Sequence, residues 1–250
     1  MVAGEILSIA ESLSTNLPSK MASNNILTIG YFNIRGQTGL PVVKQLQIES
    51  IMKQNHCDIL HLQEANIDDE TFTTCEYIKS SYNIVQNNSL NKYGTASLVK
   101  SDLQYSNVKC DSEGRAIIFD VGDLTLGNVY LPSGTDGPAR AGRERYCCEV
   151  LPRLLLNSKA DGSVGGDFNC IVDKKDATHH PEAKLSKGLQ RLIKLKDWHD
   201  SYRNIYPNTK AFSRYYESAR AEGATRIDRD YHFGGLEVKE VRYIYTPGIQ

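Results

Sequence analysis

The sequence predicts a single α+β domain in which two mostly antiparallel β-sheets pack face to face and helices cover their outer faces. Short runs of alternating apolar residues, separated by turn residues, indicate antiparallel strands in the middle of the chain. Segments with helical periodicity precede, interrupt and follow these runs. With 250 residues and no long linker rich in Pro, Gly or Ser, the chain is long enough for one large core.

Residues 1–24 are predicted to be a leader outside the fold, and residues 25–250 to form the domain. An apolar strand covers 26–33, and Pro41 suits the first turn of a helix over 41–54. The other predicted helices cover 69–80, 138–156 and 186–196. The other predicted strands cover 82–86, 95–100, 105–110, 115–121, 124–130, 211–217, 224–232 and 236–244.

The segment Gly165-Gly166-Asp167-Phe168-Asn169-Cys170 is the most informative part of the sequence. On an extended backbone, side chains two residues apart point the same way, so Asp167 and Asn169 are expected to share one face at a strand end. The two glycines allow another group to approach the backbone closely. A carboxylate and an amide on one face suit the activation of a water and the binding of a phosphate oxygen. The same segment is also typical of a plain turn with Asx capping.

Three further apolar runs end in a polar group. The run from Ile26 ends at Asn33, the run from Asp58 ends at Gln63-Glu64, and the run from Leu124 ends at Tyr130. Polar groups that gather at one edge of packed sheets form the active sites of many hydrolases. These strand ends and the Asp167 segment therefore predict one common site.

Together these segments resemble the endonuclease/exonuclease/phosphatase superfamily, and most closely the endonuclease domain of LINE-type (non-LTR) retrotransposons. The similarity extends over about residues 26–245 and implies a four-layer αββα sandwich. It rests on five segments in order: Asn33, Gln63-Glu64, Asn128-Val129-Tyr130-Leu131-Pro132, Gly166-Asp167-Phe168-Asn169 and Thr225-Arg226-Ile227-Asp228.

The resemblance implies Mg²⁺-dependent hydrolysis of phosphodiester bonds, with Mn²⁺ as a possible substitute. Glu64 and Asn33 are then the metal-binding residues, in agreement with the preference of a hard cation for oxygen ligands. Asp167 is implied to orient or deprotonate the attacking water, and Asn169 to hold that carboxylate or a phosphate oxygen. The Tyr130 hydroxyl is implied to donate toward the phosphate.

Asp228 resembles an aspartate that, in this superfamily, orients a histidine in a Ser-Asp-His segment near the C-terminus. The chain reaches Gln250 about where that segment begins, and no Asp-His pair occurs in the sequence. His232 is not expected to replace the histidine, because it lies roughly 13 Å from Asp228 along a strand. The fold is therefore expected to lack its last strand, and catalysis by this chain to be impaired.

Composition limits the possible partners. The net charge of −1 gives no overall basic signature, so contact with DNA requires a local patch, for which the candidates include Arg35, Arg226 and the cluster Arg140, Arg143 and Arg145. The six cysteines show neither zinc-finger spacing nor a disulfide framework. No run of about 18 apolar residues predicts a membrane span. An intracellular, nuclear location is expected.

Three functions remain open. The first is a DNA endonuclease that forms one module of a longer polyprotein with a reverse transcriptase. The second is a phosphodiesterase or phosphatase of the same superfamily that acts on a small molecule or a phosphoinositide. The third is an inactive remnant that binds DNA without cutting it.

Overall fold

A computed structural model describes residues 4–11, 26–35, 40–67, 70–72, 74–90, 94–218 and 221–245. The strands, in chain order, are β1 (Gly4–Glu11), β2 (Ile26–Asn33), β3 (Ile59–Gln63), β4 (Tyr82–Asn87), β5 (Thr95–Lys100), β6 (Tyr105–Cys110), β7 (Ala116–Val121), β8 (Leu124–Tyr130), β9 (Asp161–Asp167), β10 (His199–Asp200), β11 (Arg214–Ser218), β12 (Ala221–Thr225), β13 (Asp228–Phe233) and β14 (Glu237–Tyr245). The α-helices are α1 (Val42–Gln54), α2 (Glu76–Ser81), α3 (Gly137–Arg145), α4 (Leu151–Leu154), α5 (Lys187–Lys196) and α6 (Ser201–Ile205).

The strands form two six-stranded sheets and one hairpin. The first sheet has the order β14-β1-β2-β3-β5-β4, the second has the order β10-β13-β9-β8-β7-β6, and β11 pairs with β12. Most neighbours are antiparallel, but β2 pairs with β3 and β8 pairs with β9 in parallel. These two parallel pairs place the carboxyl ends of four strands at one edge of the two sheets.

Three apolar clusters separate four layers, which confirms the predicted sandwich. Strand β2 shows how the sequence builds them, since alternate residues point to opposite faces of a strand. Ile29 and Tyr31 pack between the two sheets, whereas Phe32 packs toward α1. A third cluster, which includes Trp198, lies between the second sheet and the segment from Tyr146 through α4 and α5.

Helix starts follow local capping signals. The Asp136 side chain accepts a hydrogen bond from the Ala139 N–H at the start of α3, and the Ser186 side chain accepts one from the Leu189 N–H at the start of α5. The helix predicted over 138–156 occurs, but a π-helical turn at Tyr146–Val150 separates α3 from α4.

Among the described residues, no helix is both long enough and apolar enough to cross a bilayer.

The prediction that residues 1–24 lie outside the fold is wrong for the segment Gly4–Glu11. These eight residues form β1, which pairs antiparallel with both β14 and β2 in the first sheet. The physical reason is that an unpaired strand edge exposes backbone N–H and C=O groups, and β1 satisfies those of β2. The rest of the predicted leader lies outside the described residues.

Two other predicted elements differ from the structure. The helix predicted over 69–80 is reduced to the six residues of α2, because a turn precedes it in which Cys75 N–H bonds to the Phe72 carbonyl and the Phe72 ring is buried. The strand predicted over 224–232 is two strands, β12 and β13. They separate at Arg226, whose backbone N–H donates to the Asp176 carbonyl instead of to a neighbouring strand.

Candidate active site

The polar strand ends predicted from the sequence meet at one edge of the sandwich. Asn33 ends β2 opposite Gln63, the last residue of its parallel partner β3, and Glu64 follows Gln63 directly. Tyr130 ends β8 opposite Asp167, the last residue of its parallel partner β9. Each sheet thus contributes one parallel pair, and the packing of the sheets brings the two pairs together.

The Asn33 amide joins the two sheets at this edge. Its Nδ2 donates to Glu64 Oε1 at 3.0 Å and to Asp167 Oδ2 at 2.9 Å. Its Oδ1 accepts the Arg35 backbone N–H at 2.8 Å, which fixes the orientation of the amide. One carboxylate from each sheet is therefore held by the two hydrogens of a single amide group.

Asn169 is not on a strand, and the predicted common face of Asp167 and Asn169 is wrong. Strand β9 ends at Asp167, and Asn169 has a left-handed backbone with φ 48°. Asp167 Oδ1 accepts the Asn169 N–H at 2.8 Å, and Asn169 Nδ2 donates to the Leu131 carbonyl at 2.9 Å. The segment is thus an Asx turn, in which Asn169 positions the Asp167 carboxylate and the loop after β8.

Asp167 and Asp228 form a second carboxylate pair, because Asp228 lies directly opposite Asp167 in the pairing of β13 with β9. Burial, and next the charge of Asp228, raise the pKa of Asp167 well above its ordinary value. Burial also raises the pKa of Asp228 to about 6, although a hydrogen bond from Ser213 opposes the shift. Carboxyl groups with raised pKa values are suited to exchange protons near neutral pH.

Tyr130 is a phenol that keeps its proton. Burial raises its pKa, and the negative charges of Glu64 and Asp167 raise it further. The ring is covered by the Arg115 guanidinium, whose central carbon lies 5.2 Å from the ring centroid. A buried phenol of this kind keeps its hydroxyl hydrogen over the whole physiological pH range.

Three non-glycine residues at this edge have positive φ angles: Arg35 at 60°, Glu64 at 51° and Asn169 at 48°. Such a conformation is sparsely populated and concentrates at functional sites, at a cost of order 1–3 kcal/mol for each residue. For Glu64, the next residue holds the backbone in place, since Ala65 N–H donates to the Gly94 carbonyl at 2.6 Å. The backbone thus changes direction sharply where the strands end.

Gly165 and Gly166 provide the space that the site requires. A Cβ at position 165 would lie 2.4 Å from the Tyr31 ring, which reaches across from the first sheet. Gly166 has φ +130°, and a Cβ there would lie 2.1 Å from the Val129 carbonyl oxygen of the neighbouring strand β8. The glycines before Asp167 therefore serve sheet packing and strand pairing.

We expect Gly166→Ala to lower the free energy of unfolding by roughly 2–4 kcal/mol, from backbone strain and a contact with backbone that cannot move aside. Urea unfolding followed by circular dichroism measures the change. The matched control is Gly137→Ala at the start of α3, where no atom beyond the adjacent residues and the helix's own backbone lies within 4 Å of the added Cβ. That control is expected to be neutral or stabilising by up to about 1 kcal/mol. Equal stability of the two variants would contradict this account.

Beneath the carboxylates, Gln63 and Asn128 connect the sheets. Gln63 Nε2 donates to Asn128 Oδ1 at 2.8 Å, and Asn128 Nδ2 donates to the carbonyls of Leu62 and Ala96 in the first sheet. Sequence reasoning treated both residues only as neighbours of Glu64 and Tyr130. Their role is to hold β3 and β8 at a fixed spacing.

The predicted DNA contact at Arg226 is wrong. Its guanidinium is 1% exposed and binds Asp200 through both terminal nitrogens, at 2.9 and 2.6 Å, and Asp176 through Nε at 3.0 Å. Burial favours such bidentate pairing, because a buried guanidinium must satisfy its donors inside the protein. Arg35, in contrast, is half-buried beside Asn33, and its contact with nucleic acid stays a prediction.

Two lysines beside the site carried no signal in the sequence. Lys44 Nζ donates to the Ile34 carbonyl at 2.7 Å; burial and then Arg35 lower its pKa, whereas Glu64 opposes the shift. Lys184 Nζ lies over the Tyr216 ring, 5.2 Å from its centroid.

Burial and Arg214 lower the pKa of Lys184, whereas the charge of Asp167 raises it. The two carboxylates are thus flanked by cations from both sides, which only tertiary packing brings into place.

The donor set fits a hard divalent cation. Glu64 and Asp167 supply carboxylate oxygens on either side of one amide, and Mg²⁺ is commonly bound by one or two carboxylates and several waters. In residues 4–245, apart from the gaps given above, no group of three or more His, Cys, Asp and Glu side chains is arranged to hold a metal. Asn33 turns its nitrogen toward both carboxylates and bridges them in this structure, and its role as a metal ligand stays a prediction.

Comparison with solved structures identifies the fold, although no protein-family model matches the sequence. An AP endonuclease from Archaeoglobus fulgidus superposes with a TM-score of 0.67 and 18% identity, over 83% of this chain and 86% of that one. The 3′ phosphatase NExo from Neisseria, bound to a product DNA hairpin, gives 0.62 and 21%, over 82% and 86%. Truncated TDP2 from Caenorhabditis elegans gives 0.56 and 20%, over 83% and 84%.

The chain therefore has the endonuclease/exonuclease/phosphatase fold. At these identities the similarity establishes the fold alone, and the chemistry must be argued from the site.

Proposed function

We propose that this protein is a Mg²⁺-dependent DNA endonuclease that hydrolyses a phosphodiester bond at the edge where β2, β3, β8 and β9 end. One observation carries the proposal: the Asn33 amide holds Glu64 and Asp167, from different sheets, 3.0 and 2.9 Å from one nitrogen. Two carboxylates in fixed positions, with a protonated phenol beside them, suit the hydrolysis of a phosphate ester.

Each side chain has a distinct role in this proposal. Asp167, with its raised pKa, accepts the proton of the attacking water, and the Asn169 N–H holds the carboxylate in the required orientation. The Tyr130 hydroxyl donates to a non-bridging phosphate oxygen. Glu64 would hold Mg²⁺ together with several waters, with Mn²⁺ as a substitute. When bound, the ion neutralises charge on the phosphate and the leaving oxygen.

Cations beside the carboxylates are placed to attract a polyanionic substrate. Lys44 and Arg35 lie on the Glu64 side, and Lys184 and Arg214 lie on the Asp167 side. A net charge of −1 for the whole chain makes this local concentration of positive charge more important. DNA, with its closely spaced phosphates, is the substrate that this arrangement favours over a small phosphate ester.

The motif order supports a retrotransposon source for this endonuclease. Asn33, Gln63-Glu64, Tyr130, the Asp167 segment and Asp228 occur in the sequence order of LINE-type endonuclease domains, and the structure gathers these residues at one edge. We propose that the chain acts as one module of a longer product with a reverse transcriptase, in the nucleus.

A plasmid-nicking assay tests the proposal. Supercoiled DNA is incubated with the protein in Mg²⁺, in Mn²⁺ and in EDTA, and bis-p-nitrophenyl phosphate and a soluble phosphoinositide are tested in parallel. Metal-dependent conversion to the open circle is expected. Turnover of a small substrate without nicking would favour a small-molecule phosphodiesterase. DNA binding without any turnover would identify a binding protein, in agreement with the fact that no described histidine hydrogen-bonds to Asp167 or Asp228.

Glu64→Gln is expected to raise the Mg²⁺ concentration for half-maximal nicking by at least about tenfold, because a neutral amide replaces a charged metal ligand. A Mg²⁺ titration of the nicking rate measures the shift. Glu70→Gln, at an exposed position after β3, is the control and is expected to leave the titration unchanged. An unchanged midpoint in Glu64→Gln would remove Glu64 from the metal site.

A further inference from the structure

A groove lies next to the proposed catalytic edge and has no role in the chemistry described above. It has a volume of about 320 Å³ and lies between α3 and the start of α5. We call it the α3–α5 groove, and it is lined by Arg140, Arg143, Glu144, Leu185, Ser186 and Lys187.

Both walls of the groove continue from the strands that carry the site. On one side, Arg143 Nη1 donates to the carbonyls of Pro132 and Gly134, at 2.7 and 2.8 Å, in the loop directly after Tyr130. On the other side, Ser186 N–H donates to the carbonyl of Ile171, two residues after Asn169, at 3.0 Å. The groove is therefore anchored beside the ends of β8 and β9.

The floor of the groove is fixed by internal bonds. The Glu144 carboxylate accepts a hydrogen bond from Ser186 Oγ at 2.7 Å and another from the Gly188 N–H, so the start of α5 satisfies its charge. Arg143 is buried and its Nη1 is committed to the loop carbonyls. These residues fix the shape of the groove. Because their polar atoms are engaged in internal hydrogen bonds, a ligand would be bound by the residues at the rim.

The rim carries two cations that the fold does not use. Arg140 and Lys187 are both exposed, and neither takes part in an ion pair among the described residues. The groove thus has three cationic side chains and one carboxylate that is already satisfied. An anion is the complementary ligand, and a flexible lysine beside a forked guanidinium suits a phosphate group.

We propose that the α3–α5 groove binds a backbone phosphate of the substrate DNA next to the phosphodiester that is cut, through Arg140 and Lys187. This inference rests on the proposed function, since its ligand is the same polymer. A phosphate held here sets which bond of the strand lies at Asp167, because the two positions belong to one continuous backbone. Arg140 and Lys187 are positioning residues, and the metal-binding side chains are not among them.

The test is the salt dependence of DNA binding, measured by fluorescence anisotropy of a labelled duplex in EDTA, where no cleavage occurs. Neutralising Z phosphates gives a slope of about −0.9Z in a plot of log binding constant against log salt concentration. The double variant Arg140→Gln/Lys187→Gln removes both cations that hold the one proposed phosphate, so it is expected to reduce the slope by about 0.9. Its affinity is expected to fall by about tenfold or more at 0.1 M salt.

The matched control is Arg153→Gln/Lys194→Gln, which removes one exposed arginine and one exposed lysine from α4 and α5. Its slope is expected to equal that of the wild type, and circular dichroism checks the fold of both double variants. The groove proposal is overturned if the slope of Arg140→Gln/Lys187→Gln is unchanged, or if the control changes by the same amount. In either case, binding of the duplex by the wild type still supports the proposed function. A wild type that does not bind duplex DNA overturns the proposed function itself.

A second measurement separates phosphate positioning from general attraction. Duplexes with a single neutral methylphosphonate linkage are incubated with Mg²⁺, and the nicks are mapped. For the wild type, the neutral linkage is expected to reduce nicking at one particular bond, which lies a fixed number of nucleotides away from it. For Arg140→Gln/Lys187→Gln this dependence is expected to vanish; its persistence would contradict the proposal.

Discussion

Replacing Asp167 with asparagine is expected to reduce DNA nicking by a factor of about 10²–10⁴, the usual contribution of a positioned general base. The substitution keeps the size of the side chain and its ability to accept the Asn169 N–H. It removes the negative charge and the basic oxygen on which proton transfer depends. Initial rates of plasmid nicking at saturating Mg²⁺ measure the loss.

The same variant is expected to be about as stable as the wild type, because removing a buried charge offsets the lost hydrogen bond from Asn33 Nδ2 to Asp167 Oδ2. Burial and the charge of Asp228 raise the pKa of Asp167, so the charged form is unfavourable in the folded protein above the ordinary carboxyl pKa. A neutral amide avoids that cost. Urea unfolding near pH 8 therefore separates a catalytic defect from a folding defect.

Asp173→Asn is the matched control for Asp167→Asn, because Asp173 is a half-exposed aspartate in the loop after the Asp167 turn. Its nicking rate is expected to stay within about threefold of wild type, since a surface ion pair contributes little. Wild-type activity in Asp167→Asn would remove Asp167 from the mechanism.

Asp176→Ala is expected to lower the free energy of unfolding by about 3–5 kcal/mol, the cost of leaving buried charges without their partner. Asp176 is 0% exposed, and three arginines converge on its carboxylate. Arg226 Nε and Arg203 Nη2 bind one oxygen at 3.0 and 2.8 Å, and Arg229 Nη2 binds the other at 3.0 Å. Urea unfolding with an unchanged m-value measures the loss.

Asp123→Ala, in the exposed turn between β7 and β8, is the control for Asp176→Ala and is expected to change stability by less than about 0.5 kcal/mol.

Lowering the pH is expected to reproduce part of the stability loss of Asp176→Ala. Burial alone raises the pKa of Asp176, but Arg229 and Arg226 outweigh it and the net shift is downward. The resulting stability is present above the unfolded-state carboxyl pKa and is lost as pH falls through the lowered value. A loss below about 1 kcal/mol in Asp176→Ala would contradict the ion network.

Strands were the best-predicted elements, for a physical reason. In β5, β7 and β8 the apolar residues and turn signals are local, and each strand is buried on both sides. Helix α2 was overestimated because the burial of Phe72 in a turn depends on contacts with distant residues. The two-residue strand β10 and the helix α6 were not predicted, since their lengths give no measurable period.

The candidate site was predicted in its residue types but not in its geometry. Asn33, Glu64, Tyr130 and Asp167 were identified from their positions after apolar runs. Local spacing did not show that Asn33 would bridge the carboxylates, nor that Asn169 would turn away from the strand. Arg226 carried the same positive charge as Arg35 in the sequence, and only burial distinguished the two.

The sequence by itself determined β2, the strands β4 to β8, the polar residues at the strand ends and the glycines before Asp167, because these depend on neighbours a few residues apart. The tertiary structure decided which of those groups touch, since the 3.0 and 2.9 Å bonds of Asn33 join residues 31 and 134 positions apart. It also decided which cations face solvent. Long-range packing controls both, because burial and distance depend on how the two sheets are placed against each other.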